Sequence, residues 1–349
     1  MNKYLLFAAL LGVITSTQAQ TNCTDPQAIN YNPTATNSDG PSCVYPATVH
    51  NPRVLTTIDD KVNESSGLIF YRDRVWTHND SGGEPEIYAI DSTDGHILQT
   101  IRLKGFTRDS IIDCEDLTQD ADFIYLNDMG NNNGDRKNLR IYKIAKKDIS
   151  EKENDSVPFS IIRFRYPQQT SFESSQTHNF DCEGFIAYGD SIHLFSKNRG
   201  NLYTYHYTLP KTAGDVYDAL RIDSFLVGGQ ITGAAVNPAN NQLSLLGYVN
   251  LATPFFWVFW NYKPGHFFSG NARRIELPSP AVVGQTEALA YRNNFDMFMS
   301  NENLQVVKQQ LCSINTAQWT TNSTSTGISN QAQENIPTIV FDSAAQILM

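Results

Sequence analysis

Positive charge is scarce in this chain: 26 Lys and Arg stand against 36 Asp and Glu, a net charge of −10 over 349 residues. With no sustained Lys/Arg stripe, this balance argues against a nucleic-acid-binding surface. Long apolar runs are missing too. Only residues 4–14 form one, shorter than the roughly 20 residues a membrane-spanning helix needs, so no transmembrane segment is expected in the mature chain. The seven His and five Cys show no Cys-x-x-Cys or His-x-x-x-His spacing of a zinc site. There is also no Gly-x-Ser-x-Gly elbow, no phosphate loop and no dinucleotide fingerprint.

What the chain does have is a repeat. Asp181-Cys182-Glu183-Gly184-Phe185 has a close variant in Asp113-Cys114-Glu115-Asp116-Leu117. Weaker copies are Ser66-Gly67-Leu68, Thr232-Gly233-Ala234 and Glu287-Ala288-Leu289, at successive intervals of 49, 68, 49 and 55 residues. Each copy leads through an apolar segment and a turn into an alternating run that ends in a polar cluster, such as His78-Asn79-Asp80 or Lys197-Asn198. Spacing near 50 residues with short alternating segments predicts an all-β chain, a β-propeller of five blades with six as the alternative. The strand-like residues 53–58 precede the first repeat and would close the ring on the last blade. The charged stretch 146–155 is expected to be solvated, and residues 159–166 to form an outer strand. The run Phe255-Phe256-Trp257-Val258-Phe259-Trp260 is either a ligand platform or a buried strand.

The first 19 residues carry the basic, apolar and small-residue regions of a secretory signal peptide, which places the protein outside the cell or on its outer surface. Residues 20–45 form a turn-rich module bracketed by Cys23 and Cys43, the natural first disulfide of an exported chain. With Cys-Thr-Asp-Pro at its start and Asn-Tyr-Asn-Pro within, it resembles a cysteine-bracketed repeat of bacterial cell-surface proteins. Its Asp25, Asn30, Asn32, Asn37 and Asp39 either offer oxygen ligands to calcium or cap turns. Cys114 and Cys182 either pair or remain buried thiols, and Cys312 belongs to a strand. The propeller is expected over residues 46–319, followed by a polar linker and terminal segment over 320–349. The strand-like stretch from Ile336 to Asp342 resembles the start of a type IX secretion sorting domain, here truncated.

In a propeller the innermost strands converge on one axis, so repeated residues at their entries form a ring. Glu115, Glu183 and Glu287 share one repeat position, and Glu64 lies two residues before Ser66. Four carboxylates around one axis repel one another and raise one another's pKa unless protonated, hydrogen-bonded or neutralised. Calcium suits such a site, with Asp80, Asn127, Asp128, Asn198 and Asn301 adding oxygens. Alternatively, the acids simply accept backbone N–H bonds at tight strand entries. His78 and His178 each precede an Asn near a repeat entry and are either proton carriers or loop residues held by hydrogen bonds.

Ser65-Ser66-Gly67-Leu68, Trp76-Thr77-His78-Asn79-Asp80-Ser81-Gly82 and Asp181-Cys182-Glu183-Gly184-Phe185 together resemble the repeats of phytase-like esterase and gluconolactonase-type propellers. That resemblance implies calcium at the channel mouth, with Glu64, Glu183, Asn198 and Glu287 as ligands beside the ring residue Glu115. It implies Asp80 or Asp128 as a base; His78, from its place at a repeat entry, is a further catalytic candidate. Thr232 departs from the acidic pattern, and no basic cluster for a phosphorylated substrate is apparent. Two functions follow as expectations: extracellular binding of a glycan or surface protein, or calcium-dependent hydrolysis of an ester or lactone.

Overall fold

The computed structural model describes residues 22–36, 42–80, 83–237 and 239–320. The expected signal peptide and sorting segment lie outside these residues. The chain enters through β1 (Arg53–Thr57), then lays down blade one as β2 (Ser65–Tyr71), β3 (Arg74–Asn79), β4 (Glu86–Ile90) and β5 (Ile97–Leu103). Blade two opens with β6 (Leu117–Gln119), β7 (Phe123–Asp128) and β8 (Arg140–Ala145). Next, β9 (Asn154–Val157) returns to blade one parallel to β5, and β10 (Ser160–Arg165) resumes blade two. Blade three holds β11 (Cys182–Tyr188), β12 (Ser191–Ser196) and β13 (Tyr203–Pro210). The short β14 (Val216–Asp218) crosses back to blade two, parallel to β10, before β15 (Leu220–Leu226) completes blade three. Blade four is β16 (Gln230–Asn237), β17 (Gln242–Val249), β18 (Thr253–Trp260) and β19 (Asn271–Glu276). Blade five is β20 (Gln285–Tyr291), β21 (Asp296–Glu302) and β22 (Gln310–Asn315), with β1 paired antiparallel on its outer edge.

Five sheets therefore form a five-bladed propeller, and the six-blade alternative falls away. The inner strands β2, β6, β11, β16 and β20 pack side by side around the axis and back to β2. Closure by residues 53–57 is as expected, because an open last blade would present an unpaired edge. The stretch 146–155 is solvated as expected apart from the buried Ile149, and its end begins β9, which covers the edge of blade one and buries Val157. Residues 160–165 are an outer strand, as read from the sequence.

Each pair of neighbouring blades encloses its own apolar cluster, five in all. A strand sandwiched between two such clusters must be apolar on both sides, which explains the aromatic run in β18. Phe255 and Phe259 face blade three while Phe256, Val258 and Trp260 face blade five. Burial of each large side chain stabilises by about 1.5–3 kcal/mol. The run is a buried strand.

Cys23 and Cys43 are disulfide-bonded, whereas Cys114, Cys182 and Cys312 are buried free thiols. In the module, Asp25 accepts from the Gln27 N–H (2.9 Å) and the Tyr45 hydroxyl (2.8 Å), and Asn30 accepts from the Val44 N–H (2.8 Å). Asn32 accepts from the Thr34 N–H at 3.0 Å. The bonds from Gln27 and Thr34 cap turns, and those from Val44 and Tyr45 tie the end of the module back to its start; Asn37 and Asp39 lie outside the described residues. The module docks on blade four, where Arg273 reaches Gln27 (2.8 Å) and the Tyr45 ring lies 5.4 Å from that of Trp260.

Candidate functional site

The repeat motif is a β-bulge. In β11, Cys182 pairs with Ser196 and Gly184 with Phe195, leaving Glu183 unpaired between them. Thr232 in β16 and Glu287 in β20 are extruded in the same way, and β2 shifts register across Ser66-Gly67. A bulge redirects the side chain it carries. In blade two, β6 starts only at the motif's last residue, Leu117, and the Asn127 side-chain oxygen accepts the N–H of Glu115 (2.7 Å) and of Asp116 (3.0 Å).

The position after the bulge is small in four blades because the inner strands nearly touch there. A Cβ on Gly67 would lie 2.5 Å from the Asp116 backbone, and one on Gly233 would lie 2.5 Å from the Glu287 carbonyl. Asp116 is the exception, and its fully buried carboxylate accepts from Leu117 (2.7 Å), Phe185 (3.3 Å) and Ala234 (3.3 Å) N–H groups. Blades two and four are not neighbours in a ring of five. The carboxyl therefore crosses the axis and closes the channel. Burial raises its pKa well above the usual carboxylate range, against the pull of those three N–H donors.

A second ring lies above the bulges. Leu68, Leu117, Phe185, Ala234 and Leu289 pair with Thr77, Leu126, Leu194, Leu245 and Met299. Three residues beyond those partners stand Asp80, Met129, Lys197, Tyr248 and Glu302. Lys197, buried, forms an ion pair with Glu183 and lies 5.1 Å from the centre of the Tyr248 ring. Burial opposes its charge, but Glu183, with Tyr248 and Glu287, holds the ammonium well above its ordinary pKa. Glu302 accepts from Gln285 at 2.8 Å. Burial, with Glu287, Asp80 and Glu64 nearby, pushes its pKa up to about 9.

On the side of blades one and two, Asp80, Asp113 and Glu115 each place a carboxylate oxygen within 4.8 Å of the others. Burial and then the neighbouring Glu183, Asp80 and Asp113 raise Glu115 well above the carboxylate range. Asp113 is raised by burial and by Asp181 and Asp128, with Arg136 opposing. Gly130 borders this group so closely that a Cβ there would collide with both Glu115 and Asp113. The donor set is all oxygen and suits a hard cation rather than zinc.

The expected residues divide accordingly. Glu115, Glu183, Glu287 and Asp80 meet at the mouth, and Glu64 lies on its exposed rim. Asn198 is tied to Ser196 (2.6 Å) and Asn201 (2.9 Å). Asp128, fully buried, is bound by Arg136 (2.8 Å), Arg140 (2.9 Å) and the Tyr142 hydroxyl (2.7 Å). Burial alone would raise its pKa, but these partners hold it below the usual value. His78 is buried, with Nδ1 2.7 Å from the Asn79 carbonyl oxygen and its pKa lowered by burial to about 4. His178 Nε2 lies 3.1 Å from the Asn132 carbonyl oxygen. Sequence reasoning missed Lys197, Glu302, Tyr248 and Asp113. The signal for three of them was the count of residues beyond each strand pairing.

No family model and no curated protein matches the chain. Among solved structures, it is similar to a chain of the mitotic checkpoint complex at 11% identity and a TM-score of 0.32, covering 70% of this chain and 62% of that one. It is also similar to a chain of Kuenenia stuttgartiensis hydrazine synthase at 7% identity and 0.35, covering 74% and 64%. A third is a candidate 6-phosphogluconolactonase of Bacteroides uniformis at 8% identity and 0.31, covering 77% and 69%. The chain thus spans less than two thirds of the first two.

Proposed function

We propose that this propeller is an extracellular binding protein that holds calcium at the acidic mouth of its channel and takes a glycan or surface protein there. The observation that carries this reading is the meeting of Asp80, Asp113 and Glu115 within 4.8 Å. The buried ammonium of Lys197 is paired with Glu183 and offsets the charge of Glu115 and Asp113 without cancelling their raised pKa. Three carboxylates begin the set of six to eight oxygens that calcium takes, and neutralisation by a cation removes their mutual repulsion. A bound cation would also offer a positive contact to ligand hydroxyl or carboxylate oxygens. The disulfide agrees with an oxidising compartment, and no helix among the described residues is long and apolar enough to cross a membrane.

Binding is favoured over hydrolysis of an ester or lactone because two candidate proton carriers are engaged. Asp128 is locked between two guanidinium groups, and His78 is enclosed and neutral. Calcium titration by calorimetry tests the reading: one site is expected in the unaltered chain and none in Asp113→Asn or Glu115→Gln. Absence of calcium binding in the unaltered chain overturns it. Turnover of lactone or aryl-ester panels that is lost in Glu115→Gln would instate the hydrolase.

A further inference from the structure

The two ends of the channel differ in sign. Where the inner strands end, opposite the acidic mouth, a cavity of about 490 Å³ is walled by Arg72, Lys146 and Arg292, with Phe70, Tyr71 and Tyr291 among them. A second hollow of about 600 Å³, between blades five and one, adds Arg53 and shares Arg292 as a wall. Four cations thus line the two hollows against two carboxylates, Asp120 and Asp296, in a chain whose net charge is −10.

Both carboxylates are engaged. Asp120 is held by Lys211 (2.9 Å) and Tyr125 (2.8 Å), and Asp296 by the amides of Asn293 (2.7 Å) and Asn315 (2.6 Å). Arg72 has Glu151 at 2.8 Å, and Lys146 donates to the Asp120 carbonyl oxygen at 2.5 Å. The guanidinium groups of Arg53 and Arg292, by contrast, have no carboxylate within salt-bridge distance among the described residues. Arg53 meets only the Ser313 hydroxyl (3.4 Å), and Arg292 lies 6.0 Å from the ring centres of Phe70 and Phe298. In the wall of the hollow at the strand ends, the buried Gln119 Oε1 lacks a hydrogen-bond donor among the described residues.

We propose that this groove binds an acidic oligosaccharide, a chain of uronate-type sugars. Two hollows meeting at Arg292 make an elongated site rather than one for a compact molecule. Guanidinium groups take carboxylates in a bidentate fork. Tyr71, whose ring carries the Lys146 and Arg72 cations at 4.5 and 5.1 Å, and Tyr291 add aromatic wall to the hollow, while Ser92, Thr93 and Asn294 offer partners for hydroxyls. The site does not rest on calcium at the other mouth, because the Asp116 carboxyl closes the channel between them.

The test is calorimetric titration of the full chain with tetragalacturonate in EDTA at low salt. Affinity is expected to fall by roughly tenfold or more in Arg292→Gln and further in the Arg53→Gln/Arg292→Gln pair. Arg165→Gln, an exposed partner of Asp218 outside the groove, is expected to bind like the unaltered chain. Thermal melts establish that each variant is folded, and Arg292→Gln, which alters no β-strand residue, serves if the pair is not. No binding by the unaltered chain, undiminished binding by folded Arg292→Gln, or equal binding of the methyl-esterified oligosaccharide overturns the proposal. Tighter binding of an oligoglutamate peptide than of tetragalacturonate does so too.

Discussion

The acidic mouth has two halves whose carboxylates are neutralised differently. On blade three, Glu183 meets the Lys197 ammonium, and Asp181 meets Arg199 at 2.8 Å. On blades one and two, Asp80, Asp113 and Glu115 face one another, while the nearby guanidinium groups of Arg136 and Arg140 are bound to Asp128. The same register position supplies Lys197 in one half and Asp80 in the other. One fixed geometric place thus carries a cation in one half of the mouth and an acid in the other.

Removing the internal cation should have the largest effect. Lys197→Met leaves Glu183 buried without its partner, and a loss of about 3–5 kcal/mol in denaturant-derived stability is expected. A loss below 1 kcal/mol would show that the pair does not hold this half together. Calcium should act next, and only on the other half. At a hundredfold excess over its dissociation constant it is expected to stabilise the chain by about 2.7 kcal/mol, and to do nothing for Asp113→Asn. Equal stabilisation of that variant would erase the distinction between the halves.

The smallest effect is a pH dependence. Because the folded-state pKa of Glu302 is raised to about 9, an unfolded chain ionises this group first, and folding must then take up a proton. Its contribution is complete below the unfolded value of about 4.5 and is lost as pH rises through about 9. Between pH 7.5 and 9, where histidines with ordinary or lowered pKa no longer titrate, melting temperature in EDTA should fall with pH. Glu302→Gln should flatten that slope, and an unchanged slope would place its origin elsewhere.

The repeat, the blade count, the closing strand and the burial of the β18 aromatics were legible because each rests on local chemistry. A bulge between crowded inner strands demands a small residue, so Gly67, Gly184, Gly233 and Ala288 recur at blade spacing. The second ring was illegible as a repeat, since Asp80, Met129, Lys197, Tyr248 and Glu302 share a position and no chemistry. The reading therefore settled on Asp128 and Asn198, one residue out of register with that ring. The pairing of β9 and β14 was hidden for another reason. Strands β9 and β14 join blades built earlier, and such nonlocal edge pairing leaves no periodic trace.

The seam formed by β1 has a consequence for how the molecule comes into being. Arg53 meets Ser313, 260 positions later, so the first propeller strand emerges long before the strand that shelters it. Until then four blades can assemble but the circle cannot, and such distant closure makes for slow folding. Once shut, the ring holds its first strand against its last blade like a clasp. A blade leaving the circle must then break its contacts on both sides, so unfolding should proceed as a single event rather than blade by blade.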